Sequence, residues 1–343
     1  MENSYFVYTT NGDTFEIERF HTCIWEFDNN SSLVEFGFEI SMEQSHHLDD
    51  IEFCLYIPWL TEKAKFQDLY EKLKDPENSR FIFNDSILNT SNIDEGRGLL
   101  GVSHEFRSRN LLTILPVTTE YEPKIAHIKI DLRHYNQFQG NKGNVYVRFS
   151  IIPECGFIST RKNGIAKSTV IYDIKINERR NIPDELVGDL NNANMCKIKD
   201  CFSFNILPNS YDIIFYDNSA LRNVRLLEYD AFTKYIKDER VKKDDLMVVF
   251  NKKSNPESFS FFSIYTKERI GMAQFLLAIF FNMLCGFLFF IASARISAEH
   301  ELSYTELYKK SPVEITAAVA VIFLIFIIFC WPPIKKFLFK ENR

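Results

Sequence analysis

Two long stretches of this chain carry no charge, and they limit what it can fold into more than any other feature. Residues 270–294 run uncharged from Arg269 to Arg295, and residues 315–334 run uncharged from Glu314 to Lys335. A helix rises about 1.5 Å per residue and the hydrocarbon core of a bilayer is about 30 Å thick, so roughly 20 apolar residues suffice to cross it. Buried helices of water-soluble domains usually keep a polar face, and neither stretch has one of charged residues. Both are expected to be transmembrane helices forming a C-terminal hairpin, residues 269–343, with a short basic tail.

The remaining residues, 1–268, are expected to stay on one side of the membrane. The start, MENSYFVYTT, has no basic residues and no apolar core of a secretory signal. Lys267, Arg269, Lys335, Lys336, Lys340 and Arg343 flank the outer ends of the two spans, whereas Arg295, Lys309 and Lys310 lie between them. Six basic residues against three place both termini in the cytoplasm. Trp331 then lies at the cytoplasmic interface, and Pro332–Pro333 end the second helix. Residues 1–269 hold 33 Lys/Arg against 41 Asp/Glu, a net of −8, which argues against broad nucleic-acid binding while permitting a local basic pocket. The seven cysteines are odd in number and show no disulfide framework, as a reducing compartment would favour.

The long N-terminal part reads mainly as strands. The chain has 33 Phe and 15 Tyr, residues that favour sheets and bury large areas. Leu33–Ile40 (LVEFGFEI), Ile51–Ile57, Ile128–Leu132, Val145–Ile151, Val170–Ile176, Ile213–Tyr216, Leu246–Phe250 and Phe259–Tyr265 fit strands. Asn11–Gly12, between Tyr5–Thr10 and Asp13–Phe20, predicts an opening hairpin. A helix is expected over Thr61–Lys74, with Phe66, Leu69, Tyr70 and Leu73 on one face and Pro76 beyond its end. Short helices fit Pro183–Leu190 and Asp230–Lys237. The expected fold is a mainly β, sandwich-like domain with α+β additions, and with a soft boundary near Pro153–Ser168. The few residues between the last strand and Arg269 suggest a stiff connection to the first span.

Motifs for chemistry are few. GRGLLG at 96–101 has dinucleotide-site spacing, but such a site needs a strand before it and a helix after it, and the preceding NTSNIDE reads as polar loop, so a Rossmann site is not expected. Arg97, Arg107 and Arg109 around these glycines could hold a small anion, although a solvated basic loop has the same composition. Cys196 and Cys201 lack the second pair that a zinc site needs, and adjacent His46–His47 cannot easily face one ion from a strand. Nothing points to a cofactor, a metal or an enzyme.

The first span carries a patterned face. At about 100° per residue, Gln274, Ala278, Asn282, Cys285, Gly286 and Ser293, with Gly271 and Ala292, fall on one arc of about a third of the helix circumference. The second span has no such face. Small and polar residues let helices approach and hydrogen-bond in lipid. The arc packs either on the second span or on the same helix of other copies. Because the second span offers no polar partner near Asn282, the homo-oligomer is the preferred expectation.

The layout, a soluble recognition domain joined to two membrane helices, is similar to that of prokaryotic immune effectors, which couple a sensor to a membrane-disrupting helix pair. That resemblance of architecture implies a sensor and effector of antiviral defence in a bacterial inner membrane, whose domain senses a ligand or a protein partner; the arginines near the glycines would suit a small anionic ligand. The alternative is a membrane-anchored protein-binding scaffold.

Overall fold

The computed structural model describes residues 3–10, 15–27, 31–43, 45, 48–93, 101–154, 158–164, 167–192, 194–243, 245–254, 257–268, 272–296, 303–310, 312–313, 315–316, 319–320 and 323. The fold is mainly β. In chain order the elements are β1 (Asn3–Thr9), β2 (Glu16–Glu26), β3 (Ser32–Ile40), β4 (Asp50–Tyr56), β5 (Lys65–Asp68), α1 (Tyr70–Leu73), α2 (Pro76–Ile82), β6 (Ile87–Ile93), β7 (Gly101–Phe106), β8 (Leu112–Ile114), β9 (Thr118–Glu122), β10 (Ile125–Asp131), α3 (Arg133–Gln137) and β11 (Asn144–Ile152). There follow β12 (Thr160–Asn163), β13 (Lys167–Ile176), α4 (Asp184–Asn192), β14 (Asn194–Met195), β15 (Lys197–Pro208), β16 (Asp212–Tyr216), β17 (Leu221–Leu226), α5 (Tyr229–Ile236), β18 (Leu246–Ser254), β19 (Phe259–Glu268), α6 (Met272–Ile296) and α7 (Tyr304–Lys310).

The chain divides into two units, residues 1–162 with 169–267, and residues 163–168 with 268–343. The first unit holds two large mixed sheets. One runs β16-β19-β13-β1-β4-β10-β9, with β12 on β13 and β14 on β1; the other runs β17-β18-β15-β2-β3-β11-β8-β7-β6, with β5 on β11. Parallel pairs (β1 with β13, β2 with β15, β11 with β8) sit among antiparallel ones.

Their inner faces share one core, where Phe38 of β3 meets Phe53 of β4 at 4.9 Å and Tyr5 of β1 meets Phe36 of β3 at 5.5 Å between ring centroids. The two-residue period of a strand decides which residues point there. Val145, Val147, Phe149 and Ile151 of β11 enter this core, as do Phe36, Phe38 and Ile40 of β3.

The outer face of the ten-stranded sheet is covered too. A second apolar cluster packs Trp25, Tyr146, Ile206 and Val248 of the sheet against Leu73 of α1 and Phe232, Tyr235 and Ile236 of α5. This cover is why the alternate residues of LVEFGFEI, Glu35 and Glu39, are buried rather than solvated.

Three expectations are corrected. Strands β1 and β2 do not form a hairpin: they lie in different sheets, and Asn11–Gly12 is outside the described residues. The apolar spacing of Thr61–Lys74 is not one helix. Lys65–Asp68 is instead a strand against β11, with Phe66 and Phe149 centroids 4.8 Å apart; the helical part is only Tyr70–Leu73, and Pro76, beyond its end, begins α2. The NTSNIDE stretch is largely strand β6. It pairs antiparallel with β7, so a strand follows where a dinucleotide motif needs a helix.

In the second unit, α6 covers 25 residues, and its side chains are described at 275–291 and at 293. Among the described residues no helix is long and apolar enough to cross a membrane. The expected second span, 315–334, lies almost wholly outside them.

Candidate functional site: an arginine-lined cavity

A β-bulge sets up the site. Pairing of β2 with β3 shifts register between Ile17 and Arg19. Ile17 faces the inter-sheet core, but past the bulge Phe20 and Ile24 do so. The parity change turns Arg19, His21, Cys23 and Trp25 to the outer face. Alternation on the neighbouring strands brings Glu35, Gly37 and Glu39 of β3, Tyr146 and Arg148 of β11, Phe202 and Phe204 of β15, and Phe250 of β18 to the same face.

The buried part of this face is a charge network. Glu35 accepts from Arg148 Nε at 2.7 Å, Tyr235 Oη at 3.0 Å and Trp25 Nε1 at 3.2 Å. Glu39 accepts from Arg109 Nη2 at 2.7 Å and Asn144 Nδ2 at 3.1 Å, with Arg19 Nη1 3.7 Å away. Arg109 also lies over the Phe83 ring, 4.8 Å from its centroid. Gly37 leaves room for Tyr146 Oη, since a Cβ there would collide with it.

His21 Nδ1 is 3.0 Å from Tyr146 Oη, which accepts from Arg148 Nη1 at 3.3 Å. Burial, reinforced by Arg148, Arg109 and Arg19, holds His21 well below the usual imidazole range. The ring is therefore neutral at pH 7. If Tyr146 gives its proton to Nδ1, the imidazole proton sits on Nε2. Burial, then the Glu35 charge, pushes the Cys23 thiol far up, so it stays protonated and is unsuited to nucleophilic work.

Above the network opens a cavity of about 380 Å³. The sheet contributes Arg19, His21, Phe202, Phe204, Phe250 and Arg148 to its wall; β17 adds Arg222, Asn223 and Arg225, and the end of α2 adds Phe81–Asn84. Five guanidiniums line it and no carboxylate does. Glu35 and Glu39 neutralise two from behind, and Glu228 pairs with Arg225 at 3.1 Å. Positive charge remains in excess. Arg19 Nε is buried with no hydrogen-bond partner, and Arg222 makes no ion pair among the described residues. Such a wall suits an anion able to take planar, two-pronged hydrogen bonds.

Of the arginines expected to gather around the glycines, Arg109 reaches this cavity. Arg107 is exposed, with its backbone N–H on Ser86 O at 2.9 Å, and Arg97 is outside the described residues. Sequence reasoning missed Arg19, Arg148, Arg222 and Arg225, which are dispersed over more than 200 residues of chain. The one available signal was the two-residue spacing of Arg19, His21 and Cys23, with Phe20 and Ile24 between and after them.

A second constellation was also missed. Cys54 Sγ lies 3.3 Å from His127 Nδ1, whose Nε2 lies 3.3 Å from Glu122 Oε1. These are cross-strand neighbours on β4, β10 and β9, beside a cavity that Glu52 and Glu120 also line. His46 and His47 are outside the described residues, and among those described no group of His, Cys, Asp and Glu could hold a metal ion.

On α6, Ala278, Asn282, Cys285, Gly286 and Ser293 are all exposed within their unit, and a Cβ added at Gly286 would meet nothing within 4 Å. The side chain of Gln274 is outside the described residues. Compared with known proteins, the chain matches no family model and no curated sequence.

Proposed function

We propose that this protein is a membrane-anchored sensor. Its β-rich unit binds a small anionic ligand in the arginine-lined cavity, and its C-terminal helices lie in the bilayer and associate through the Gln274–Ser293 face. The observation that carries this reading is the cavity itself: five arginines, no carboxylate in the wall, and a buried guanidinium nitrogen with no protein partner. Ligand pockets commonly have volumes of about 300–1,000 Å³, and this cavity of about 380 Å³ falls in that range. The membrane half rests on sequence. Residues 270–294 are uncharged, and as a helix at 1.5 Å per residue they would span about 37 Å. Ligand binding that reorganises associated spans would perturb the membrane, the behaviour expected of an effector in prokaryotic antiviral defence.

Pyrophosphate is a suitable first probe. It should raise the melting temperature of the detergent-solubilised chain, because a ligand that binds only the folded state stabilises it. Arg222→Glu should remove the rise. No shift with pyrophosphate or any nucleotide would end the anion reading.

A scaffold reading has its own observation. Phe215 of edge strand β16 and Phe262 of β19 are both exposed and touch edge to face at 5.7 Å between centroids, an apolar pair on the sheet surface, and exposed apolar surface can mark a partner site. Under that reading Asn282→Leu leaves function intact, whereas a sensor and effector loses oligomers.

A further inference from the structure

We propose that the cavity takes a phosphorylated ring compound of the nucleotide class, with its phosphates on Arg19 and Arg222 and its ring added to a stack of phenylalanines. This rests on the anion-site reading above. The ring component comes from a separate feature of the wall. Phe204 and Phe250 are cross-strand partners with centroids 4.7 Å apart and planes within 6°, and Phe202 stacks on Phe250 at 5.9 Å and 3°. All three are only half-buried, and all line the cavity.

Three parallel rings left partly uncovered on a sheet face form an apolar platform. Inorganic phosphate would contact the arginines and leave that platform facing water. A flat heterocycle joined to a phosphate covers both parts. Base–aromatic stacking contributes about 1–3 kcal/mol per base and tolerates any base, because each has a π-face. Arg19 and Arg222 can each approach a phosphate with two parallel N–H donors. Asn84 and Asn223, also in the wall, can donate to and accept from a ring edge.

The experiment uses the full chain in detergent micelles. Dissociation constants are measured for purine and pyrimidine nucleoside diphosphates, for the matching nucleosides and for pyrophosphate. At least one nucleoside diphosphate should bind tenfold or more tighter than pyrophosphate, and nucleosides should bind far more weakly. Phe250→Leu should abolish the tenfold advantage while leaving pyrophosphate within twofold of the parent. Arg222→Glu should weaken both phosphate ligands tenfold or more. Phe202→Leu replaces Phe250→Leu if the latter does not fold. Equal affinity for pyrophosphate and every nucleotide, or a nucleotide advantage that survives loss of the ring, overturns the nucleotide proposal while the anion site stands. Failure of every phosphate ligand to bind removes both.

Discussion

Glu35 and Arg148 form an ion pair at 2.5 Å on the outer face of the ten-stranded sheet, where their side chains are 2% and 6% exposed. They are 113 residues apart in the chain and become neighbours because β3 pairs with β11. Trp25 and Tyr235 supply further donors to the same carboxylate, and α5 closes the site from solvent. Desolvating two charges is costly, and such a pair is tolerated when the remaining hydrogen-bonding capacity is met.

Removing one partner therefore matters more than the net worth of the pair. Glu35→Ala leaves Arg148 buried without its counter-charge and should cost about 3–5 kcal/mol in unfolding free energy. Denaturant unfolding of the detergent-solubilised chain checks this. The double variant Glu35→Leu with Arg148→Met should recover much of the loss, and equal losses in both would refute the account of the pair.

Gly37 predicts a steric effect at the same network. Its position opposite Tyr146 Oη has no space for a Cβ. Gly37→Ala should destabilise by about 1–3 kcal/mol, as overpacking does. Adding Tyr146→Phe should restore part of this, and thermal unfolding of the single and double variants reads it out.

Stability should depend on pH through His21. Its folded-state proton affinity is depressed, first by burial and then by the nearby arginines. The unfolded chain takes up a proton near pH 6.5 and the folded chain does so only well below that. The unfolded state therefore holds more protons in this window, and stability falls as pH drops below about 6.5, with a slope of at most about 1.4 kcal/mol per unit for this group. His104, also depressed by burial, adds in the same direction. His21→Gln should reduce the slope between pH 6.5 and 5; an unchanged slope would contradict the assignment.

Much of the sheet structure was legible in the sequence because strands write a two-residue period into it. LVEFGFEI is β3 almost to the residue, and helices α4 and α5 fall where short amphipathic patterns predicted them. Pairing partners were not legible. Asn11–Gly12 suggested a local hairpin, yet β1 is buried throughout and sits inside the nine-stranded sheet, with β4 on one side and β13 on the other. Long-range burial decided its neighbours. Phe66 likewise satisfied a helical spacing, but its ring is held against Phe149. The cavity was hidden for a related reason: its residues come from β2, β11, β15, β17, β18, α2, α5 and the segment between β7 and β8, and only tertiary pairing and packing assemble them. The Asn282 face, by contrast, is entirely a property of one segment, so sequence periodicity alone suffices to draw it.

Association of α6 with the same helix of other copies brings the residues at position 282 together in the membrane, and crosslinking there reads it out. Asn282→Cys, with Cys285 and Cys330 changed to Ser, is placed in lipid vesicles and oxidised. Disulfide-linked dimers between chains should form, and should be lost when the cysteine is moved to Phe280 on the opposite arc. Chains that stay monomeric, or that bond only to a cysteine placed in the second span, would contradict it.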